Sequence, residues 1–523
     1  MIKKQWKYAA IILGIIFDYL FWEKNPGISF SIFVMTFISA SFILLKIDKT
    51  PLSSRNLFLF FPILFFSVMS FIRRDPFTNF LNYLLTIFSL SVFVISFQNG
   101  QWGSFGLVDY IANLFHLAFN TLKFPFFRVS LDQPDTSSNK ERLRTKTWAI
   151  LRGALITIPI LYIFIILFSS ADLVFEQKTY QLLNLMNLQN LPELFFRSVL
   201  ILIMANLFSG VMLHASVESA KVNPSHKPIF VKFLGFTEAC IVLGSVLTLF
   251  LFFIGVQFQY FFFPKQNIAF SGFSYAEYAR RGFTELVIIA FLSLLLILSL
   301  NLLTNRKTIS QNKLFKFLNV GLVFSVLIIL GSSFQRLLLY ESAFGFTQSR
   351  TYAHVFMIWL GLLLASVVVL EYVNKGWAIT NAAIIVLIGF SATLNMINVD
   401  AFIAHQNIQR AKNGKALDVS YLSSLTNDAV PTLVNEISAS DISEEMRDGI
   451  GAAITCFQVK ENRNKLITNS WQSFHISDWK AERMLVQVSD HIQGYQIQEE
   501  DWYTSIISPA GVKYTCQNYF MFD

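Results

Sequence analysis

Apolar residues fall into eleven stretches of about 16–24 residues within the first 400 positions, each bounded by a short polar or charged segment. A run of about 20 apolar residues matches the roughly 30 Å hydrocarbon core of a bilayer. In lipid such a run is helical, because a helix satisfies its own backbone groups. The pattern predicts an all-α, polytopic membrane protein of about 11 transmembrane helices. The predicted spans are 7–22, 28–45, 57–72, 80–97, 148–168, 195–214, 233–256, 284–304, 316–335, 352–371 and 377–397. Lys3, Lys4 and Lys7 before the first run look signal-like, but Asp18, Trp22 and the missing small-residue cleavage site indicate an uncleaved span.

One further stretch, 105–122, alternates differently. Its polar residues Asp109, Asn113, His116 and Asn120 recur every three to four positions, as on one stripe of an amphipathic helix. It is expected to lie on the inner membrane surface rather than cross it. After residue 400 the long apolar runs stop, and the last 123 residues predict a small, mostly helical soluble region. Short helices there carry Phe402, Ile403, Ile408, Tyr421 and Leu425. A longer one is expected from an Asp441 cap, with Glu444 completing a capping box, to about 458. Another runs from Ser477 or Asp478 to about 492, and a small hairpin is expected within 502–523. Three regions follow: a four-span part (1–147) with the amphipathic segment and a basic linker, a seven-span core (148–400), and the soluble tail (401–523).

Charge adds orientation. Hydrophobic residues make up 54% and charged residues 14% of the chain, and the formal net charge is +8. Residues 1–400 hold 31 Lys+Arg against 18 Asp+Glu, while the tail holds 10 against 15. The positive charge sits in short loops between spans, so it speaks for membrane orientation and against nucleic-acid binding. With the N-terminus inside, 21 of the 31 basic residues fall on the inner side, as the positive-inside rule expects. The tail is then outside. Cys456 and Cys516 both lie in it, where a disulfide or two buried thiols are both open, and Cys240 lies within a span.

Ionisable residues in or near spans are the usual pointers to function. Asp18 and Glu238 are the intramembrane polar candidates; Asp18 reads either as interfacial, paired with Lys24, or as functional. Toward the outer side, Glu277, Arg281 and Glu285 fall at i, i+4 and i+8 and form a structural ladder. Arg280 points away from it. The next outer segment carries Arg336, Tyr340, Glu341, Arg350 and His354, with Gly345 ending one helix and Thr347 capping the next. The outer set is about 3 Lys and 7 Arg against about 15 Lys and 6 Arg inside. Arg suits bidentate recognition of carboxylate or phosphate. Arg280, Arg336, Arg350, His354 and Tyr340 are therefore the candidate ligand-binding residues, for an anionic ligand or lipid headgroup. The alternative is that Glu277, Glu285 and Glu341 pair with these arginines and lock helix ends together.

No phosphate loop, HExxH, GxSxG or CxxC motif is present, and the seven histidines lack ligand spacing. No catalytic residue, metal or cofactor is assigned. The segments FLGFTEACIVLG (233–244), YAEYARRGFTEL (275–286), RLLLYESAFGFTQSRTYAHVFMIWLG (336–361), NVDAFIAHQNIQRA (398–411) and LDVSYLSSLTNDAVPTL (417–433) resemble a bacterial multi-pass membrane family, domain of unknown function 4173, related to 4153. The resemblance covers 148–435 and is weaker before it. It implies a bacterial cytoplasmic-membrane protein and no established activity. Three functions stay open: binding or sensing at the Arg cluster, with a partner protein for signalling; transport; and, least favoured, an enzyme acting on lipid-linked substrates.

Overall fold

The computed structural model describes residues 4–122, 191–222, 233–262, 283–373, 378–467, 470–500 and 503–517, with scattered positions between 153 and 178 and Lys375. Among these, nine helices are long and apolar enough to cross a bilayer. They correspond to all the predicted spans except the first and the fifth. The first is a helix, α1 (Lys4–Phe21), but its 18 residues carry three charges, Lys4, Lys7 and Asp18. The fifth, 148–168, falls mostly outside the described residues. This is a multi-pass helical membrane protein.

The following elements frame the site. α2 is Ile28–Ile47, α3 Leu57–Ile72, α4 Pro76–Ile95 and α5 Leu107–Leu122. α6 is Leu191–Leu213, α7 Phe236–Phe262, α8 Phe283–Leu303, α9 Ile309–Phe344, α10 Gln348–Tyr372 and α11 Ile379–Ile397. The amphipathic segment is indeed a separate helix, α5, of 16 residues. Its polar Asp109 is buried, while Leu107, Ile111, Phe115, Phe119 and Leu122 are exposed along the opposite stripe.

Two compact units can be distinguished. One comprises 1–24, 35–51 and 115–221; the other comprises 25–34, 52–114 and 222–523. In the first, α1 packs along α6. Gly14 lets the backbones approach, since a Cβ there would meet the Ile201 carbonyl oxygen at 2.6 Å. Close small-residue contacts of this kind hold helices together where no hydrophobic force acts between them in lipid. Asp18 reaches across the same pair to Arg197, with Arg197 Nη2 donating to Oδ2 at 2.7 Å and Nε at 3.1 Å. Lys24, the expected partner, instead donates to the Tyr19 carbonyl at 2.7 Å. Arginine wins because its fork fits both carboxylate oxygens.

The second unit joins α3, α4 and α7–α11 to the tail. α9 runs 36 residues from a Thr308–Gln311 capping box to Gly345, φ +90°. At about 54 Å it is longer than the bilayer core, and it runs on to Gly345 as the sequence predicted. Asn82 of α4 and Asn395 of α11 donate to each other's Oδ1 at 3.0 and 2.8 Å. Such reciprocal amides satisfy two buried polar groups at once and fix helix register.

The tail continues without a break from α11 through Asn398, whose φ is +57°. It holds α12 (Val399–Lys412), α13 (Val419–Ser424), α14 (Val430–Ile437), α15 (Glu444–Ile467) and α16 (Ile476–Gln487). A three-stranded antiparallel meander follows, β1 (Gln496–Glu499), β2 (Thr504–Ile507) and β3 (Lys513–Cys516). The expected hairpin is thus one strand larger and starts earlier. Ile403, Ile408, Leu422, Leu433, Ile450, Phe457, Leu485 and Ile506 form a core continuous with Val355 and Leu394 of α10 and α11. Asp441 does not cap α15: Ser443 Oγ accepts from Met446 N at 3.3 Å, and Asp441 pairs with Lys412 at 2.9 Å. Cys456 of α15 and Cys516 of β3 form a disulfide with Cα atoms 5.7 Å apart, within the range such bridges require.

Candidate functional site

The polar residues of the second unit concentrate where the tail meets the ends of α3, α4, α9, α10 and α11. The turn between α3 and α4 supplies Arg73, Arg74 and Asp75. Arg73 Nε donates to the Asn395 carbonyl at 2.9 Å, and its Nη1 lies 3.7 Å from Asp428 of the tail. The Arg74 backbone N–H donates to Asp428 Oδ2 at 2.7 Å, and its guanidinium lies 3.6 Å from Asp478 and 3.3 Å from the His475 ring. His475 Nδ1 is 2.9 Å from the Ser473 carbonyl. A neutral ring donating from Nδ1 can accept Arg74 at Nε2, and burial with the Arg74 charge pushes the His475 pKa down, consistent with that state. Burial likewise raises the Asp428 pKa against the opposing hydrogen bond from Arg74 and the charge of Arg73.

Beside this lies a second carboxylate layer. Asp75 caps α4 and accepts from Tyr352 Oη at 2.6 Å. Asp400, wholly buried in the first turn of α12, accepts from Gln348 Nε2 at 2.7 Å and from Thr426 N and Oγ1 at 2.8 and 2.6 Å. Desolvation pushes its pKa up to about 6, although all three hydrogen bonds oppose the shift. Burial here outweighs hydrogen bonding to the charged form.

The predicted ligand residues divide into separate surroundings. Arg336 is buried in α9, and its Nη2 donates to Gln257 of α7 at 2.6 Å. His354 lies against the Phe334 ring, centroids 4.6 Å apart, with Nδ1 3.3 Å from Glu341 Oε1. Glu341 is 1% exposed, and neither of its carboxylate oxygens has a hydrogen-bond partner. Glu341 therefore does not clamp an arginine among the described residues. Arg350, in the first turn of α10, reaches back to the end of α9: its guanidinium covers the Tyr340 ring at 4.0 Å and donates to the Gly345 carbonyl. Thr347 occupies the N-cap of α10 without a side-chain cap bond.

Arg350 is joined by Arg410, a residue the sequence reading did not single out. Arg410 Nη2 donates to the Ser342 and Ala343 carbonyls at 3.2 and 3.1 Å. Its Nε is buried without a hydrogen-bond partner. The nearby Arg350 charge, after burial, lowers its pKa. Asn407, one turn earlier on α12, accepts from Phe346 N at 2.8 Å and donates to its carbonyl at 2.9 Å. Gly345 makes this convergence feasible, since a Cβ would meet Arg410 Nη1 and Asn407 Oδ1 at 2.8 Å. Two arginines thus meet the carbonyl end of α9. The sequence signal was there, in QNIQRA directly after a span, but pairing it with Gly345 required the fold.

Glu285 is exposed in the first turn of α8, while Glu277, Arg280 and Arg281 lie outside the described residues. Glu238 is less deeply placed than its span suggested: it is exposed in the first turn of α7 and accepts from Gly235 N at 2.9 Å. A buried acid that the sequence reading missed, Glu371, sits at the far end of α10 and accepts from Asn301 Nδ2 at 2.5 Å and Asn319 Nδ2 at 3.2 Å. Between Glu341 and Glu371, Leu322, Val326, Leu330, Leu337, Leu360, Leu364 and Val367 close the α9–α10 contact. No cluster of three metal-ligating side chains occurs among the described residues.

The fold and this site define a multi-pass helical membrane protein whose tail packs on the ends of α3, α4, α10 and α11. Residues 60–436 match the family model described as domain of unknown function DUF4153, and the chain belongs to that family. The match starts well before residue 148, so it takes in the turn of Arg73 and Arg74. No curated protein and no solved structure matches.

Proposed function

We propose that this chain binds an anionic group, the phosphate or carboxylate of an envelope ligand or lipid headgroup, at Arg350 and Arg410 beside Tyr340. The observation that carries the reading is their choice of partners. Both guanidiniums bond carbonyl oxygens at the α9 end, and among the described residues neither has a carboxylate partner. A helix C-terminus offers roughly half a negative charge, which two full positive charges exceed. In protein reconstituted into zwitterionic nanodiscs, inorganic phosphate or added phosphatidylglycerol should raise the melting temperature. Ligand at about a hundredfold over its Kd stabilises by ~2.7 kcal/mol. Arg350→Lys with Arg410→Lys keeps the charge but not the fork, and should lose most of that gain. An equal gain in the variant would reject the site, and the two ligands separate a free anion from a headgroup.

The same reading places the protein in a bacterial cytoplasmic membrane with the N-terminus inside and the tail outside. The 21-to-10 split of basic residues supports it, as does the Cys456–Cys516 bridge, since disulfides persist in oxidising compartments. A reporter active only outside the cytoplasm, fused after residue 400, should be active. An inactive fusion beside an active cytoplasmic counterpart would invert the topology. Signal output would need a partner protein. Transport finds less support, because apolar packing separates the two buried acids of the α9–α10 pair.

A further inference from the structure

The turn Trp471–Ser473 and the start of α16 dock on the chain just as it enters the membrane at α2. Ile28 N donates to the Phe474 carbonyl at 3.0 Å, and Ser473 Oγ donates to the Asn25 carbonyl at 2.8 Å. Gly27 is required for this contact, since a Cβ would meet the Ser473 carbonyl carbon at 2.6 Å and the Phe474 oxygen at 2.7 Å. The docked segment therefore sits at the depth where α2 begins its apolar run.

At that depth the tail exposes large aromatic surface: Trp471 is 50%, Phe474 38% and Trp479 40% exposed. Arg483, one turn on from Trp479, lays its guanidinium over that indole at 4.0 Å. Lys480 is exposed beside it. Aromatic rings with a polar edge, flanked by cations, are what the headgroup zone of a bilayer accommodates, and Trp is enriched there. In water such exposed aromatic surface would be a liability. Its neighbours here are two membrane entries, since Arg74 and Asp478 tie the start of α16 to the end of α3 as well.

We infer that Trp471 and Phe474, with Trp479 and Arg483 beside them, form an interfacial anchor that inserts into the headgroup region of the bilayer on the tail side. The anchor is independent of any ligand at Arg350 and Arg410. Its role is to hold the tail against the membrane, so that the polar layer of Arg73, Arg74 and Asp428 is closed from one flank by lipid.

Full-length protein in phosphatidylcholine nanodiscs tests this. In a Cys240→Ala background, which keeps the disulfide, single cysteines replace Trp471 or, as a control, Ala510 on the exposed turn between β2 and β3. Each is labelled with nitrobenzoxadiazole. The label at 471 should emit to the blue of the label at 510, be quenched by lipids carrying a doxyl group near the glycerol, and resist aqueous iodide. Emission and quenching equal to those at 510 would overturn the anchor. A blue shift without lipid quenching would overturn it too, by placing the side chain against protein. Gly27→Val should abolish the lipid quenching at 471 while the tail's own melting persists. Quenching that survives this substitution would overturn the link between docking and depth.

Discussion

Replacing Cys456 and Cys516 together by alanine is expected to lower the stability of the tail by about 4 kcal/mol, the loop-closure entropy of a bridge of this span. The bridge joins residues 60 apart in sequence and ties β3 to the long helix α15. Both cysteines are buried in the tail core, so the loss is not offset by relief of an exposed strained bond. Alanine fills each site without an oxidisable group, and the cavity left adds to the entropic term rather than opposing it. Thermal unfolding followed by tail tryptophan fluorescence, with and without reductant, checks the effect. Reduction of the native chain should reproduce the variant, and unchanged melting in both would show that core packing alone sustains the tail.

The second large effect concerns Asp400. Its carboxyl has a pKa pushed up from the ordinary 3.8 to about 6 by burial. The folded chain therefore binds a proton, between about pH 4 and 6, that the unfolded chain has already released. This group's contribution is fully present below the unfolded value and is lost as pH rises through the folded value. Above about pH 6 the buried charge costs the fold on the order of 3 kcal/mol. Asp400→Asn removes that cost without breaking the network. The amide oxygen can face Thr426, its NH₂ can face Gln348, and the Gln348 amide can turn to accept it. The variant should be more stable than the native chain at pH 8 and nearly equal to it at pH 4. His475 works in the opposite direction, because its lowered pKa makes the native state gain stability as pH rises toward the ordinary histidine range. Asp428, raised by burial, follows Asp400. The comparison between chain and variant isolates Asp400, and a pH-independent difference would refute the account.

Much of the architecture follows from the sequence because its cause is local. A bilayer-length apolar run has a single way to satisfy its backbone in lipid, so the positions of most spans, and the separate nature of α5, are legible from hydropathy alone. Gly345 as a helix end is legible too, because glycine just past a helical run is a common C-terminal stop. Charge composition also carried a long-range hint. The tail has an acidic surplus and the loops it meets are rich in arginine, and Asp428 and Asp478 realise that complementarity with Arg73 and Arg74.

The identities of partners were decided only by the tertiary structure. Asp18 took Arg197 rather than its sequence neighbour Lys24, and Ser443 rather than Asp441 capped α15, because geometry chooses among several chemically adequate groups. Arg350 and Arg410 are 60 positions apart and share a helix end only because α12 folds back on the Gly345 turn. Glu371 and the Asn82–Asn395 pair sit in stretches apolar enough that one polar residue leaves the hydropathy pattern unchanged. Periodicity records which face a residue shares with its near neighbours. Which helix, and which end of it, that face meets is fixed by packing and by pairing buried polar groups across long separations, information that no local window of the chain contains.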